Sequence, residues 1–174
     1  MNAGRDRPLA FGLIPVILVL DQWSKWLVLK TPAFNAQDCL DRSEPCGQIE
    51  LTPVFDLTMV WNRGVSFGTL QSEGIMRWIL VLATLAIAVG FGVWLSRAAG
   101  RLTRLALALV VGGAIGNVID RIRFGAVVDF LDFSGLYFVW VFNVADAAIT
   151  VGAVLLFVDQ FLMSDSKNPT GSQT

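Results

Sequence analysis

The sequence predicts an all-α membrane protein: four transmembrane helices carrying a small β-sheet on the outer surface of the membrane. Composition is the first ground. Of 174 residues, 55% are hydrophobic and 16% charged, where soluble proteins carry about a quarter charged residues. The second ground is length: four apolar runs each approach the ~20 residues that cross ~30 Å of hydrocarbon at about 1.5 Å per residue. The third is a polar loop between the first two runs in which apolar and polar side chains alternate, the mark of a strand with one buried face.

The runs lie at about 9–29, 74–95, 102–120 and 137–162, within a single membrane-embedded domain spanning 1–174. Arg5 and Arg7 precede the first run, as in a secretory signal peptide. No small-residue cleavage site follows its core, however, and "DQWSKW" stands in that place, so the run reads as a retained span. In the loop 31–73, Phe55, Leu57, Met59 and Trp61 alternate with Asp56, Thr58, Val60 and Asn62. Asn62-Arg63-Gly64 supplies a turn, and "VSFGTL" is placed to return as a second strand. Trp23, Trp26, Trp61 and Trp78 suit the interfacial belt. The tail 164–174 is polar and is expected to be disordered and cytoplasmic.

Four spans place both termini on one side. Arg5, Arg7, Arg97, Arg101, Arg104 and Lys167 fall on that side, and Lys30, Arg42, Arg63, Arg77, Arg121 and Arg123 on the other. The counts tie, but Arg97, Arg101 and Arg104 crowd one short connection, which favours cytoplasmic termini.

Chemistry is narrowed most by an absence: the chain has no histidine. A Ser–His–Asp triad, a Cys–His pair and an HExxH zinc site are excluded, because each needs an imidazole. A net charge of −1 gives no reason to expect a nucleic-acid partner. Cys39 and Cys46, in one polar loop, are too few for a zinc site. They form a disulfide if the loop faces an oxidising compartment and are otherwise two free thiols. No metal and no cofactor is expected.

The remaining candidates are polar residues inside apolar runs. A carboxylate at the centre of a membrane helix costs about 2.5–3.5 kcal/mol on insertion scales, so it marks a function or a partner. Asp21 and Lys25 are four apart on the first run, acid before base, the favoured order for a helical ion pair. Gly113, Gly116, Asn117 and Asp120 form one stripe on the third run, where glycines let another helix approach. Asn143 and Asp146 share a face of the fourth, and Asp129 lies in the connection between these two helices. All collect at one depth.

Asp21 with Lys25 reads as a structural pair more readily than as a catalytic one. Asp120, followed by Arg121, is either a solvated or paired carboxylate at a helix end or part of the site. Asn62, Asn117 and Asn143 read as hydrogen-bonding supports or substrate contacts, and Asp132 and Asp159 as facing water. Asp129 and Asp146 have no adjacent base and lie in apolar surroundings, where desolvation raises a carboxyl pKa. Two such groups brought together share a proton. The ionised member can then deprotonate water while the protonated one stabilises an oxyanion. That is the arrangement of aspartic proteases.

The ordered motifs "LDQWSK" (20–25), "NRGVSFG" (62–68), "GGAIGNVIDR" (112–121), "VVDF" (127–130) and "FNVADAAI" (142–149) resemble those of the lipoprotein signal peptidases, or signal peptidase II. The resemblance implies a multi-pass aspartic endopeptidase of the bacterial inner membrane, with cytoplasmic termini and a site near the periplasmic face. It implies cleavage of prolipoprotein signal peptides immediately before a diacylglyceryl-modified lipobox cysteine, and inhibition by globomycin. The catalytic pair falls on Asp129 and Asp146. Asp21, Lys25, Asn62, Gly64, Gly113, Asn117, Asp120, Arg121 and Asn143 match positions that bind substrate or support the site. The partners expected are such prolipoproteins and membrane lipids, with the enzyme a monomer. The longer loop around Cys39–Cys46 departs from the pattern.

Two other classes compete. A proton- or ion-carrying transporter would favour inverted repeats, and none is visible. A transferase holding Mg²⁺ would use Asp120, Asp129 and Asp146 as ligands. A Ser24–Lys25 protease is disfavoured, because adjacent helical residues do not face each other.

Overall fold

The computed structural model describes residues 7–36, 39, 47–64 and 74–165. Helix α1 (Arg7–Leu29) leads into a short helix α2 (Pro32–Ala36), then strands β1 (Gln48–Thr52) and β2 (Phe55–Asn62). Helices α3 (Ile75–Arg97) and α4 (Arg101–Phe124) follow, then strand β3 (Val127–Asp132), a 3-10 turn at Ser134–Leu136 and helix α5 (Val144–Asp165). The four long helices are each apolar and long enough to cross a membrane. This is a mainly helical, multi-pass membrane protein with one small antiparallel sheet.

The helices are not equivalent. The apolar window of α4 is 72% buried inside the protein, against 17–22% for the other three, so α4 is the post around which α1, α3 and α5 stand. Small residues allow this. A Cβ on Gly113 would collide with the Ala145 carbonyl of α5, and one on Gly116 would lie 2.6 Å from Asp21 Oδ2 of α1. At the far end of the same interface a Cβ on Gly152 would lie 2.6 Å from the Ala106 carbonyl oxygen. In lipid, such close approach replaces the hydrophobic drive that packs helices in water.

The sheet has the order β1-β2-β3, with both pairs antiparallel. β2 follows the alternation read in the sequence, since Met59 and Trp61 are buried in a core with Val28, Phe34, Cys39, Ala126, Val128 and Phe130. The third strand was not anticipated. Residues 127–132, expected as a plain connection, pair with β2 so that Asp129 lies opposite Val60 and Val127 opposite Asn62. Gly125, at φ 79°, makes this possible. Its N–H closes α4 on the Arg121 carbonyl and the left-handed turn redirects the chain into β3. The expected return strand "VSFGTL", residues 65–70, lies outside the described residues, as does the tail beyond 165.

Four expectations need correction. The fourth helix begins at Val144 rather than Tyr137. Phe142 instead pairs with Leu131 in an isolated bridge, and Tyr137–Trp140 is a non-helical, exposed aromatic segment. Trp23, Trp26 and Trp78 are exposed, but Trp61 is not interfacial. It is buried edge-on to Phe124 and its Nε1 donates to the Cys39 carbonyl at 2.9 Å. Asp132 does not face water but accepts from Thr58 Oγ1 (2.6 Å) and the Ser134 N–H (2.8 Å). Burial opposes its charge, yet those hydrogen bonds outweigh burial and hold its pKa below the ordinary value. Asp159 is likewise buried, accepting from Thr103 Oγ1 across the α4–α5 interface. Cys39 is buried and disulfide-bonded, while Cys46 lies outside the described residues.

Candidate active site

The site is organised by the way α5 starts. A helix leaves its first N–H groups without intrahelical partners. Here the Asn143 side-chain carbonyl accepts the Asp146 N–H (2.9 Å), and Asp146 Oδ2 accepts the Asn143 N–H in return (3.3 Å). This is a reciprocal capping box with aspartate in the third position. The Ala145 N–H donates to Asp21 Oδ1 of α1 at 3.0 Å. Asp146 is therefore held by the same bonds that nucleate its helix.

Asp129 arrives from the sheet. Its Oδ1 accepts from Asn143 Nδ2 at 2.7 Å and its Oδ2 from Asn62 Nδ2 at 3.0 Å. The Asn62 carbonyl is occupied by the Gly64 N–H (3.1 Å), which turns the amide end toward Asp129. Gly64 sits at φ 121°, a conformation open to glycine.

The third contribution comes from α4. Asn117 Nδ2 donates to Asp146 Oδ1 at 2.7 Å, and its Oδ1 accepts from Asn143 Nδ2 (3.2 Å) and Lys25 Nζ (3.4 Å). Three asparagines thus bind the two carboxyl groups, and Asn143 touches both. Below them, Lys25 Nζ bridges Asp21 Oδ2 (2.9 Å) and Asp120 Oδ2 (2.7 Å), with all three side chains buried. Asp120 Oδ2 also accepts the Val128 N–H, next to Asp129 (3.2 Å). Arg121 lies in the field of Asp146, Asp129 and Asp120, and its Nη1 is within reach of the Asn117 carbonyl (3.5 Å).

The electrostatics differ between the pair. Asp129 is 2% exposed, and its pKa is raised to about 7. Burial is the larger cause and the charge of Asp146 the next, against the opposing hydrogen bonds of Asn62 and Asn143 and the charge of Lys25. Asp146 is half-buried, in the first turn of α5, where the positive end of the helix dipole suits a carboxylate. Among the described residues no group of three or more His, Cys, Asp or Glu side chains is arranged to hold a metal ion.

The eleven residues that the resemblance assigns to the site all lie in or against this assembly. Asp129, Asp146, Asn62, Asn117 and Asn143 are joined directly, and Asp21, Lys25 and Asp120 form the ion cluster beneath. Arg121 flanks the pair, while Gly64 and Gly113 act through backbone placement. Gln22 was missed: its amide lies against Asp21 and Asp120. A polar side chain beside Asp21 in an apolar run was the available signal. The N–H groups of Val128 and Ala145 carry no side-chain signal at all.

A family model described as signal peptidase (SPase) II matches residues 13–162. The chain belongs to the signal peptidase II family. Membership makes it a protease. It is 42% identical over 168 residues to the lipoprotein signal peptidase of Caulobacter vibrioides, covering 96% of this chain and 95% of the relative. It is 46% identical over 153 residues to that of Methylorubrum extorquens, covering 85% and 84%. Two bacterial membrane enzymes solved by the in meso method share the fold. One, at 2.3 Å, has a TM-score of 0.76 over 95% of each chain at 22% identity. The other, at 1.9 Å, has a TM-score of 0.72 over 88% of this chain and 92% of that chain at 24% identity. The Asp129–Asn143–Asp146 assembly lies within the residues that the family model matches.

Proposed function

We propose that this signal peptidase II is an aspartic endopeptidase that removes signal peptides from prolipoproteins, cutting immediately before the diacylglyceryl-modified lipobox cysteine. Asp129 and Asp146 form the catalytic pair. The observation that carries the reading is that one residue, Asn143, hydrogen-bonds both acids, while Asp129 is held near a pKa of about 7.

In this reading the pair shares one proton, with Asp129 as its protonated member. Asp146 takes a proton from a water molecule as the oxygen attacks the scissile carbonyl carbon. Asp129 donates its hydrogen bond to the carbonyl oxygen, where negative charge develops. On collapse of the tetrahedral intermediate the C–N bond breaks, and the leaving amine takes the proton held by Asp146. Arg121, which flanks the two acids, holds the substrate backbone.

The site faces the periplasm of a bacterial inner membrane and both termini face the cytoplasm. Two features support this orientation. Cys39, in the sheet-side core, is disulfide-bonded, as an oxidising compartment permits. Arg97, Arg101 and Arg104 cluster at the opposite end of the bundle. A substrate anchored by its own helix and acylated cysteine would diffuse in the membrane plane to the start of α5. The enzyme acts as a monomer and is inhibited by globomycin.

The test is processing of a diacylglyceryl-modified prolipoprotein by Asp129→Asn and Asp146→Asn enzymes in proteoliposomes. Each substitution is expected to abolish cleavage while leaving a folded membrane protein. Substantial cleavage by either removes that residue from the pair, and complete loss of wild-type activity in EDTA overturns the metal-free mechanism.

A further inference from the structure

Gln22 is half-buried on α1, one residue from Asp21, and its side chain bridges the ion cluster and the protein surface. Its Nε2 donates to Asp120 Oδ1 (2.9 Å) and Asp21 Oδ2 (3.1 Å), with the Gly116 carbonyl at 3.4 Å. Its Oε1 accepts from Nη1 of the exposed Arg123 at 3.1 Å. The amide orientation follows from this network. Only the NH₂ end can serve two carboxylates, and only the carbonyl end can serve a guanidinium.

Asp120 is the link to catalysis. One of its oxygens is held by Lys25 and the Val128 N–H, the other by Gln22. Val128 precedes Asp129 on β3, and its carbonyl accepts from Asn143 Nδ2 at 3.3 Å. The path therefore runs from Arg123 through Gln22 and Asp120 to the backbone that carries Asp129. Resting on the proposed aspartic mechanism, we infer that Gln22 is a positioning residue. As a neutral two-donor clamp oriented by Arg123, it fixes the Asp120 carboxylate and, through the Val128 N–H, the placement of Asp129.

Neutrality matters because of what surrounds the amide. Asp21 and Lys25 face it from α1, and Asp120 and Arg123 from α4. Asp146 of α5 and Asp129 of β3 lie behind Asn117 and Val128. Lys25 is already shared by two acids, so a third carboxylate at position 22 would add repulsion. A protonated carboxyl there can still donate one hydrogen bond to Asp120 and accept one from Arg123. An ionised carboxyl cannot donate at all.

The experiment measures kcat and KM for a diacylglyceryl-modified prolipoprotein in proteoliposomes from pH 5 to 9, for wild type, Gln22→Leu, Gln22→Glu and Arg123→Gln. Gln22→Leu is expected to lower kcat about tenfold with KM unchanged, because Gln22 acts only by placing reacting groups, and by the same factor at every pH. Gln22→Glu is expected to approach wild type at the acid end and to fall away as pH rises. A Gln22→Glu to wild-type ratio that is constant with pH overturns the clamp, since a merely structural role only scales the active fraction. Should Gln22→Glu fail to fold, Arg123→Gln decides. A kcat reduced about threefold at unchanged KM and melting temperature supports the clamp, and an unchanged kcat overturns it. An inactive wild type would instead overturn the functional reading on which the inference rests.

Discussion

Asn143 and Asp146 cap each other: the side chain of each accepts the backbone N–H of the other, at 2.9 and 3.3 Å. Helix start and candidate-site geometry are therefore one structure, because the same Asn143 amide reaches Asp129.

That coupling makes Asn143→Ala a revealing substitution. Loss of the cap costs about 1 kcal/mol of stability. Loss of the bridge to Asp129 is expected to reduce kcat on the order of 100-fold, the scale associated with a misplacement of about 1 Å. Comparing thermal unfolding with single-turnover processing separates the two effects. A drop in activity no larger than the loss of folded protein would remove Asn143 from the positioning role.

The α4–α5 contact offers a matched pair of tests. Gly113→Ala and Gly152→Ala each push a Cβ into backbone, against the Ala145 and Ala106 carbonyls respectively. Each is expected to destabilise by about 1–3 kcal/mol. Only the first lies beside the residue preceding Asp146, so only Gly113→Ala should lower kcat per folded molecule. Equal kcat values for the two variants would contradict this.

Lys25→Met leaves Asp21 and Asp120 buried together without their shared counterion. Breaking a buried ion pair from one side costs about 3–5 kcal/mol, so the variant is expected to unfold at markedly lower temperature than wild type. Replacing both acids and the lysine together, by Asn, Asn and Met, should recover part of that loss. A single Lys25→Met variant as stable as wild type would show that the charges are compensated elsewhere.

Asp129 makes stability depend on pH in a definite direction. Its folded pKa of about 7 lies above the ordinary 3.8, so between these values the unfolded chain gives up this proton more readily than the folded one. Stability from this group is full below about pH 4 and declines as pH rises towards 7, by about 4 kcal/mol for a shift of roughly three units. Asp129→Asn should therefore show a shallower fall in melting temperature from pH 4 to 7 than wild type. Parallel curves would place the Asp129 pKa at its ordinary value. Because the proposed mechanism needs Asp129 protonated, wild-type kcat should also decline above about pH 7.

What could be read from the sequence divides along physical lines. The four spans were legible because length and apolarity alone identify a helix in hydrocarbon. β2 was legible because it has one buried face. β3 was not: most of its residues are buried, so Val127–Asp132 shows no alternation. Apolarity extends the fourth helix back over Tyr137–Phe142, because hydropathy does not distinguish an extended aromatic segment from a helical one. Asp129 and Asp146 stood out by elimination, with no histidine in the chain and no base beside either acid. Their joint attachment to Asn143 depends on β3 meeting the start of α5, which no local pattern encodes. Gln22 escaped notice because a neutral amide beside an aspartate carries little signal until its partners, 94 to 101 residues away in sequence, are in place.

β3 belongs to a sheet outside the helices, whereas α5 is one of the four helices suited to hydrocarbon. Of the two acids, one is thus borne by the sheet and the other by a helix long and apolar enough to cross a bilayer. Thinning or thickening a bilayer tilts helices at a cost of a fraction of a kcal/mol per ångström, and a tilt of α5 against β3 would load the Asn143–Asp129 and Phe142–Leu131 contacts that join them. For such an enzyme, acyl-chain length in the host membrane is expected to alter the rate of processing.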